Sequence, residues 1–194
     1  MSSRGRERDI GREKQLALAE DFCGIFHRDM DVLYWLALTL TADEGEAEQC
    51  FVAGLEECIE GNSVFKEWAR SWSRRVVIKN AIRLLALRPG TPIGATPAPV
   101  PAIGGELDSQ SAVARAALTR LQPFDRFVFV MSVLEGYSDR DCGTLLRCSS
   151  AEVIDARLRA LRQIQQMVEL SRSRVIVPGS ESREAIVVYD TDAA

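Results

Sequence analysis

Apolar residues recur at intervals of three and four positions along most of the chain, a spacing typical of amphipathic helices. In the first half of the chain this spacing predicts helices over roughly 14–28, 29–40 and 64–87. Between the last two, a helix capped by Thr41 or Asp43 is predicted to continue to about residue 60. Strand-like runs are confined to the C-terminal tail, at Val175–Val177 and Ala185–Tyr189. The pattern therefore predicts an all-α fold, with a tail that either forms a marginal hairpin or stays without regular structure.

Capping residues divide the segment 123–161 into short helices. Pro123 suits the first turn of a helix, and Gly136 suits its end. Ser138 can accept hydrogen bonds from free N–H groups at the start of a second helix, with Asp141 three residues later. These signals predict one helix after Pro123 and another after Ser138.

A third helix is predicted to follow the short turn 147–149. Ser149 and Glu152 form an S-x-x-E capping box at its start. Its apolar stripe consists of Ile154, Leu158, Leu161 and Val168. Its polar stripe consists of Glu152, Asp155, Arg159, Arg162 and Gln166. Two helices joined by such a turn predict a helix-turn-helix, which places its second helix in the major groove of DNA.

The residues of this segment resemble region 4 of the bacterial extracytoplasmic-function sigma factors. The similarity rests on Leu121-x-Pro-x-x-Arg126, Glu135-Gly-Tyr-Ser138, Leu145-Leu-x-Cys-Ser149 and Ala156-Arg-Leu-x-Ala160. Upstream, Leu36–Glu48 is similar to region 2 of the same family, and Phe65–Arg83 is similar to its promoter-melting helix. The resemblance implies a protein that binds core RNA polymerase and promoter DNA, and it admits an anti-sigma protein as a further partner.

Charge is distributed in keeping with that resemblance, although the net charge of −4 does not favour DNA binding by the chain as a whole. Residues 21–64 hold one Arg and ten Asp or Glu, a net charge of −9. Residues 65–88 hold seven Lys or Arg and one Glu, a net charge of +6. Residues 113–175 hold ten Arg and seven Asp or Glu, a net charge of +3. Basic charge thus falls on the two segments that the resemblance assigns to DNA.

Five of the seven prolines and four glycines lie between residues 88 and 105, which predicts a linker without a core of its own. We therefore expect two small helical domains joined by a Pro/Gly-rich linker. The predicted boundaries are 14–88 for a region 2-like domain, 89–110 for the linker, 111–170 for a region 4-like helix-turn-helix domain and 171–194 for the tail.

Three common enzyme motifs and the usual zinc-ligand spacings are missing from the sequence. It has no P-loop, no dinucleotide fingerprint and no nucleophile elbow. The five cysteines form no C-x-x-C pair, and His27 is the sole histidine, so we expect buried free thiols and no zinc site. We expect no catalytic activity, no cofactor and no metal. The polar N-terminus is not a secretory signal, and no apolar run could span a membrane, so a cytoplasmic location without membrane contact is expected.

Candidate DNA-contacting residues follow from these segments. On the predicted recognition helix they are Ser149, Ser150, Arg157, Arg159 and Arg162, and on the basic helix Arg70, Arg74, Arg75 and Lys79. The alternative for the arginines is an ordinary solvated helix face, and for the serines a capping role alone. Trp68 and Trp72 could stack on unpaired bases, but we expect Trp68 in the core.

Three hypotheses follow. The leading one is a sigma-factor-like initiation factor. The second is a degenerate relative that binds DNA or protein without core polymerase, because the family's Asp-x-x-Gln-Glu is replaced by Gln49-Cys-Phe-Val-Ala53. The third is a helical adaptor that does not bind DNA, whose acidic first domain would meet a basic partner.

Overall fold

A computed structural model describes residues 15–61, 63–86 and 116–175. These residues fold into helices, and the one β-type contact among them is an isolated antiparallel bridge between Leu16 and Phe65. The prediction of an all-α fold is confirmed. The predicted linker and the strand-like runs beyond residue 175 lie outside the described residues.

Four helices form the first unit, and they start and end close to the predicted positions. They are α1 (Ala19–Arg28), α2 (Met30–Thr41), α3 (Glu44–Ile59) and α4 (Ala69–Leu84), with a 3-10 turn at Lys66–Trp68 before α4. The first helix starts later than the predicted residue 14 because residues before it are extended. Ala17 N–H donates to the Val64 carbonyl at 2.7 Å, and Lys66 N–H donates to the Gln15 carbonyl at 2.8 Å.

The core of this unit lies where α2, α3 and α4 meet. Its fully buried side chains include Phe22, Leu33, Leu40, Val76, Val77 and Ile78. Helices α3 and α4 approach closely at Gly54, where an added Cβ would lie 3.1 Å from Cγ2 of Val77. Burial of these aliphatic and aromatic groups is the main stabilising contribution to the unit.

In the described part of the second unit, three helices begin at the predicted residues. They are α5 (Pro123–Phe129), α6 (Asp139–Leu146) and α7 (Ser150–Val175), with helical residues over 116–120 ahead of them. Ser138 Oγ accepts a hydrogen bond from Asp141 N–H at 3.1 Å, as its spacing predicts. Helix α7 continues to Val175, five residues past Leu170, the predicted end of the helix-turn-helix domain.

Helix α5 continues into a π-helical turn over Val130–Leu134. Glu135 N–H donates to the Val130 carbonyl at 2.9 Å, five residues back, and Gly136 follows with φ +71°. Such turns contain one extra residue and shift the side chains that follow. Here the shift precedes Glu135, which contacts the first unit.

The two units pack against each other through α2, α4 and α5. Arg126 of α5 is buried and donates to the carbonyl oxygens of Leu40 at 3.0 Å and Thr41 at 3.1 Å. Arg74 of α4 forms a two-point ion pair with Glu135. The predicted domain limits remain predictions, but the helices on either side of the predicted linker share one core.

Candidate nucleic-acid interface

Helices α6 and α7 are joined by the turn 147–149, and the turn depends on a glycine. Cys148 N–H donates to the Gly143 carbonyl at 2.9 Å, so the chain after the turn folds back over α6. A Cβ at residue 143 would lie 2.7 Å from the carbonyl oxygen of Cys148. The position therefore requires glycine. Sequence analysis did not single out Gly143, although a glycine within a helical pattern is a signal of close packing.

The face of α7 that packs is not the predicted apolar stripe. The helix buries Val153, Ala156 and Ala160, and the small alanine side chains let α7 lie close to α5 and α6. Ile154, Leu158 and Leu161 are exposed by 40%, 45% and 44%. The large aliphatic residues thus lie on the solvent side of α7, next to Asp155 and Arg162.

Two of the three predicted arginines of α7 are held by carboxylates of the same unit. Arg157 donates to Asp139 of α6 at 2.6 Å, and Arg159 forms a two-point pair with buried Asp125 of α5 at 2.7 and 3.1 Å. The hydrogen bond to Asp125 raises the pKa of Arg159. Arg162 is exposed and makes no ion pair within the described part of the chain.

The serines at the start of α7 form the predicted capping box. Ser149 N–H donates to a carboxylate oxygen of Glu152 at 2.8 Å, and Glu152 N–H donates to Ser149 Oγ at 3.2 Å. The bond from Ser149 N–H lowers the pKa of Glu152 most, and the Ser149 hydroxyl, which donates to the same carboxylate at 2.8 Å, lowers it further. The carboxylate of Glu152 thus takes one backbone N–H at the helix start, that of Ser149, which a phosphate could otherwise use. Ser150 is exposed at the first position of α7.

The basic helix α4 is also lined by carboxylates. Arg70 donates to Asp29 at 2.6 and 3.1 Å, and Lys79 donates to Glu57 at 2.6 Å. Arg74 is paired with Glu135 of the second unit, which raises the pKa of Arg74. Arg75 is half-buried and lies over the Tyr137 ring, with its guanidinium carbon 6.0 Å from the ring centre.

The aromatic residues of α4 differ from expectation. Trp68 is 54% exposed and packs edge-on against Phe65, so the prediction of Trp68 in the core is wrong. It lies in the 3-10 turn before α4, while Ala69 and Ser73 take the buried positions of the first turns. Trp72 is half-buried, and its indole N–H has no hydrogen-bond partner among the residues that the structure describes.

Sequence analysis misses one buried cation, Arg126, and the carboxylates that hold the predicted cations. The Leu-x-Pro-x-x-Arg pattern contains Arg126 but assigns it no role, and no local pattern pairs Arg74 with Glu135. Burial of Arg126 lowers its pKa to about 10, although Glu46 acts in the opposite direction. Two of the contacts of Arg126, those with Leu40 and Thr41, join residues more than 80 positions apart, and short-range spacing cannot predict such contacts.

Metal-binding groups of three or more His, Cys, Asp or Glu side chains are not found among the described residues. Cys50, Cys58 and Cys142 are buried as predicted, and burial raises the pKa of each thiol to about 11. Cys23 is exposed, so the prediction fails for that residue. Over the same residues, no helix combines the length and apolar character needed to cross a membrane.

Of three comparisons with known proteins, the one with solved structures finds a similarity. No protein-family model matches the sequence, and no curated protein does. Among solved structures, the chain is similar to the sigma factor RpoE in complex with the anti-sigma factor NepR from Bartonella quintana. The two chains are 22% identical with a TM-score of 0.46, and the match covers 79% of this chain and 99% of that chain.

Proposed function

We propose that this chain is a sigma-factor-like protein of transcription initiation. In this proposal α7 binds promoter DNA through a helix-turn-helix, α4 contacts the promoter, and the first unit binds core RNA polymerase. The observation that carries the proposal is the arrangement of α6, the glycine-dependent turn and α7. It leaves the first three turns of α7 open to solvent on the side of Arg162.

Some of the predicted contact residues can bind phosphate while they keep their ion pairs, and others cannot. Arg70 and Arg159 have side chains exposed by 67% and 51%, so their outer N–H groups can donate to phosphate while the inner ones keep their carboxylates. Arg74 is held between the two units. A DNA contact by Arg74 would therefore require the units to separate.

Acidic and apolar neighbours limit base recognition by α7. Asp155 would repel a phosphate, and Leu158 offers no hydrogen bond to a base edge. We therefore expect DNA binding dominated by Arg162 and by the exposed cations of α4, with a modest contribution from base contacts. An anti-sigma protein is a further candidate partner, as the resemblance implies.

The test combines core polymerase with the full-length chain. Co-purification with core enzyme and run-off transcription should both be positive. In a DNA-retention assay on randomised duplex, Arg162→Ala should reduce affinity about 5- to 50-fold and lower the slope of log affinity against log salt by about one. Arg28→Ala, an exposed arginine at the end of α1, is the matched control and should change neither. A folded chain that neither binds core enzyme nor retains DNA would overturn the proposal.

A second candidate function is protein binding without DNA, which the exposed aliphatic residues of α7 favour. Large apolar groups on the outermost face of a helix are typical of protein interfaces rather than of DNA contacts. This candidate predicts unchanged DNA retention when Arg157, Arg159 and Arg162 are replaced together. Loss of retention in that triple variant, with α7 still folded, would exclude it.

A further inference from the structure

Helix α7 carries a mainly apolar stripe that the described part of the chain leaves partly exposed. Its members Ile154, Leu158 and Leu161 are spaced by four and three residues, and Gln165 and Val168 continue the same spacing. An average spacing of 3.5 residues is the pattern by which one helix packs along another. We call these five residues the α7 stripe.

From this surface we infer that two copies of the chain pair through the α7 stripe, with the two α7 helices antiparallel about a two-fold axis. The inference goes beyond the proposed function, since it concerns self-association measured without DNA or polymerase. The charged residues beside the α7 stripe favour a second copy of the chain as the molecule that covers it.

Asp155 and Arg162 flank the same edge of the α7 stripe, two turns apart. Both are exposed, and neither forms an ion pair among the described residues. Because α7 rises about 1.5 Å per residue, the two charges are separated by about 10 Å along the helix. The stripe therefore has an acidic end and a basic end on one edge.

An antiparallel pair makes that edge complementary to itself. In this antiparallel register Leu158 packs against the partner's Leu161. Four residues earlier, Ile154 then lies opposite the partner's Gln165. Asp155 then lies beside the partner's Arg162, and the two-fold axis repeats this contact. A parallel pair would instead place Arg162 beside the partner's Arg157, since flanking positions of a parallel pair meet five residues apart. The charges thus favour one orientation.

The small size of the α7 stripe determines how tightly we expect the two copies to associate. Three aliphatic side chains, each less than half exposed, form a small apolar centre, and one charge pair is repeated at the rim. Interfaces of this kind lie at the transient end of the range, so we expect a dissociation constant on the order of 10 μM. If the proposed function holds, pairing also covers Arg162 and competes with DNA.

Sedimentation equilibrium of the full-length chain over a wide concentration range tests the inference. The wild type should change from monomer to dimer mass. Leu158→Glu should weaken association at least about tenfold, because it places a carboxylate at the centre of the apolar contact. Val52→Glu, an equally exposed aliphatic residue on α3, is the matched control and should dimerise as the wild type does. Far-UV circular dichroism confirms that each variant is folded.

Charge exchange distinguishes the antiparallel pair from other contacts. Asp155→Arg and Arg162→Asp should each weaken the dimer, and the double variant should restore it, since the two residues face each other across the axis. A wild type that stays monomeric would overturn the inference, as would a dimer that survives Leu158→Glu or is not restored in the double variant. If the full-length chain stays monomeric and a chain without residues 176–194 dimerises, the inference would also be overturned, in favour of the tail as the occupant of the stripe.

Discussion

Arg126 Nε donates a hydrogen bond of 3.0 Å to the carbonyl oxygen of Leu40, at the last turn of α2. The same guanidinium donates to the carbonyls of Thr41, Thr119 and Leu121 at 3.1 to 3.4 Å. A cation at a helix C-terminus meets the negative end of the helix dipole, and here it also meets carbonyls without helical partners. This one side chain therefore ties the first unit to the segment that precedes α5.

Replacing Arg126 by methionine should destabilise the protein by about 2–4 kcal/mol, because four carbonyl oxygens lose their donor, three of them in buried hydrogen bonds. The free energy of unfolding from urea denaturation measures the loss. Arg120→Met, at an exposed position six residues upstream, should change it by less than about 0.5 kcal/mol. Equal stability of Arg126→Met and the wild type would mean that burying the charge costs as much as its hydrogen bonds contribute.

Breaking the pair between Arg74 and Glu135 should weaken the contact between the units. The carboxylate side chain of Glu135 is nearly buried and that of Arg74 is one-third exposed. We expect a coupling energy of about 1–3 kcal/mol in a double-mutant cycle of Arg74→Gln and Glu135→Gln, measured by denaturant unfolding. The pair of Lys66 and Asp21, in which the lysine is exposed, is the comparison and should give a smaller coupling energy. Additive effects of the two replacements at 74 and 135 would show that the pair contributes nothing to docking.

Gly143→Ala should disturb the turn between α6 and α7. The new Cβ would meet the backbone oxygen of Cys148 at 2.7 Å, and a backbone atom cannot move aside as a side-chain end can. We expect a loss of roughly 2 kcal/mol or more in unfolding free energy. Gly24→Ala in α1 has nothing within 4 Å and should instead stabilise by about 0.5–1 kcal/mol. A higher melting temperature for Gly143→Ala than for Gly24→Ala would contradict the geometry of the turn.

Thiol labelling should separate the cysteines by burial. At neutral pH Cys23 should react rapidly with a disulfide reagent, and Cys50, Cys58 and Cys142 should react only when the protein unfolds. Because Cys148 is half-buried, it is replaced by Ser in each variant, and in that background Cys23→Ser should abolish the fast phase. Rapid labelling of Cys50, Cys58 or Cys142 there would show that the core opens.

Alkaline pH should destabilise the protein through the same buried thiols. Burial raises the pKa of Cys50, Cys58 and Cys142 in the folded state to about 11, from an ordinary value of 9.0. Their contribution to stability is full below pH 9 and is lost as the pH rises through 11, because the unfolded chain releases its thiol protons first. Replacing Cys142 by alanine should flatten this part of the curve of unfolding free energy against pH. An unchanged curve would contradict the prediction.

Much of the secondary structure follows from neighbouring residues. Pro123, Ser138 and Ser149 start their helices as predicted, and Asp43 caps α3 by accepting from Glu46 N–H at 2.9 Å. These interactions span three or four positions, so their geometry is already present in the order of the residues. The candidate cations could be named in the same way, from the charge of the segments that carry them.

Which side of a helix is buried, and which carboxylate holds each cation, depended on contacts between distant parts of the chain. Spacing marks Ile154, Leu158 and Leu161 as the apolar side of α7, yet close packing against α5 and α6 selects the smaller Ala156 and Ala160. The partners of Arg74 and Arg159 are 61 and 34 positions away. Helical periodicity reports only how residues of one helix are arranged around its axis, whereas burial and pairing are decided by the shape and charge of the neighbouring helices.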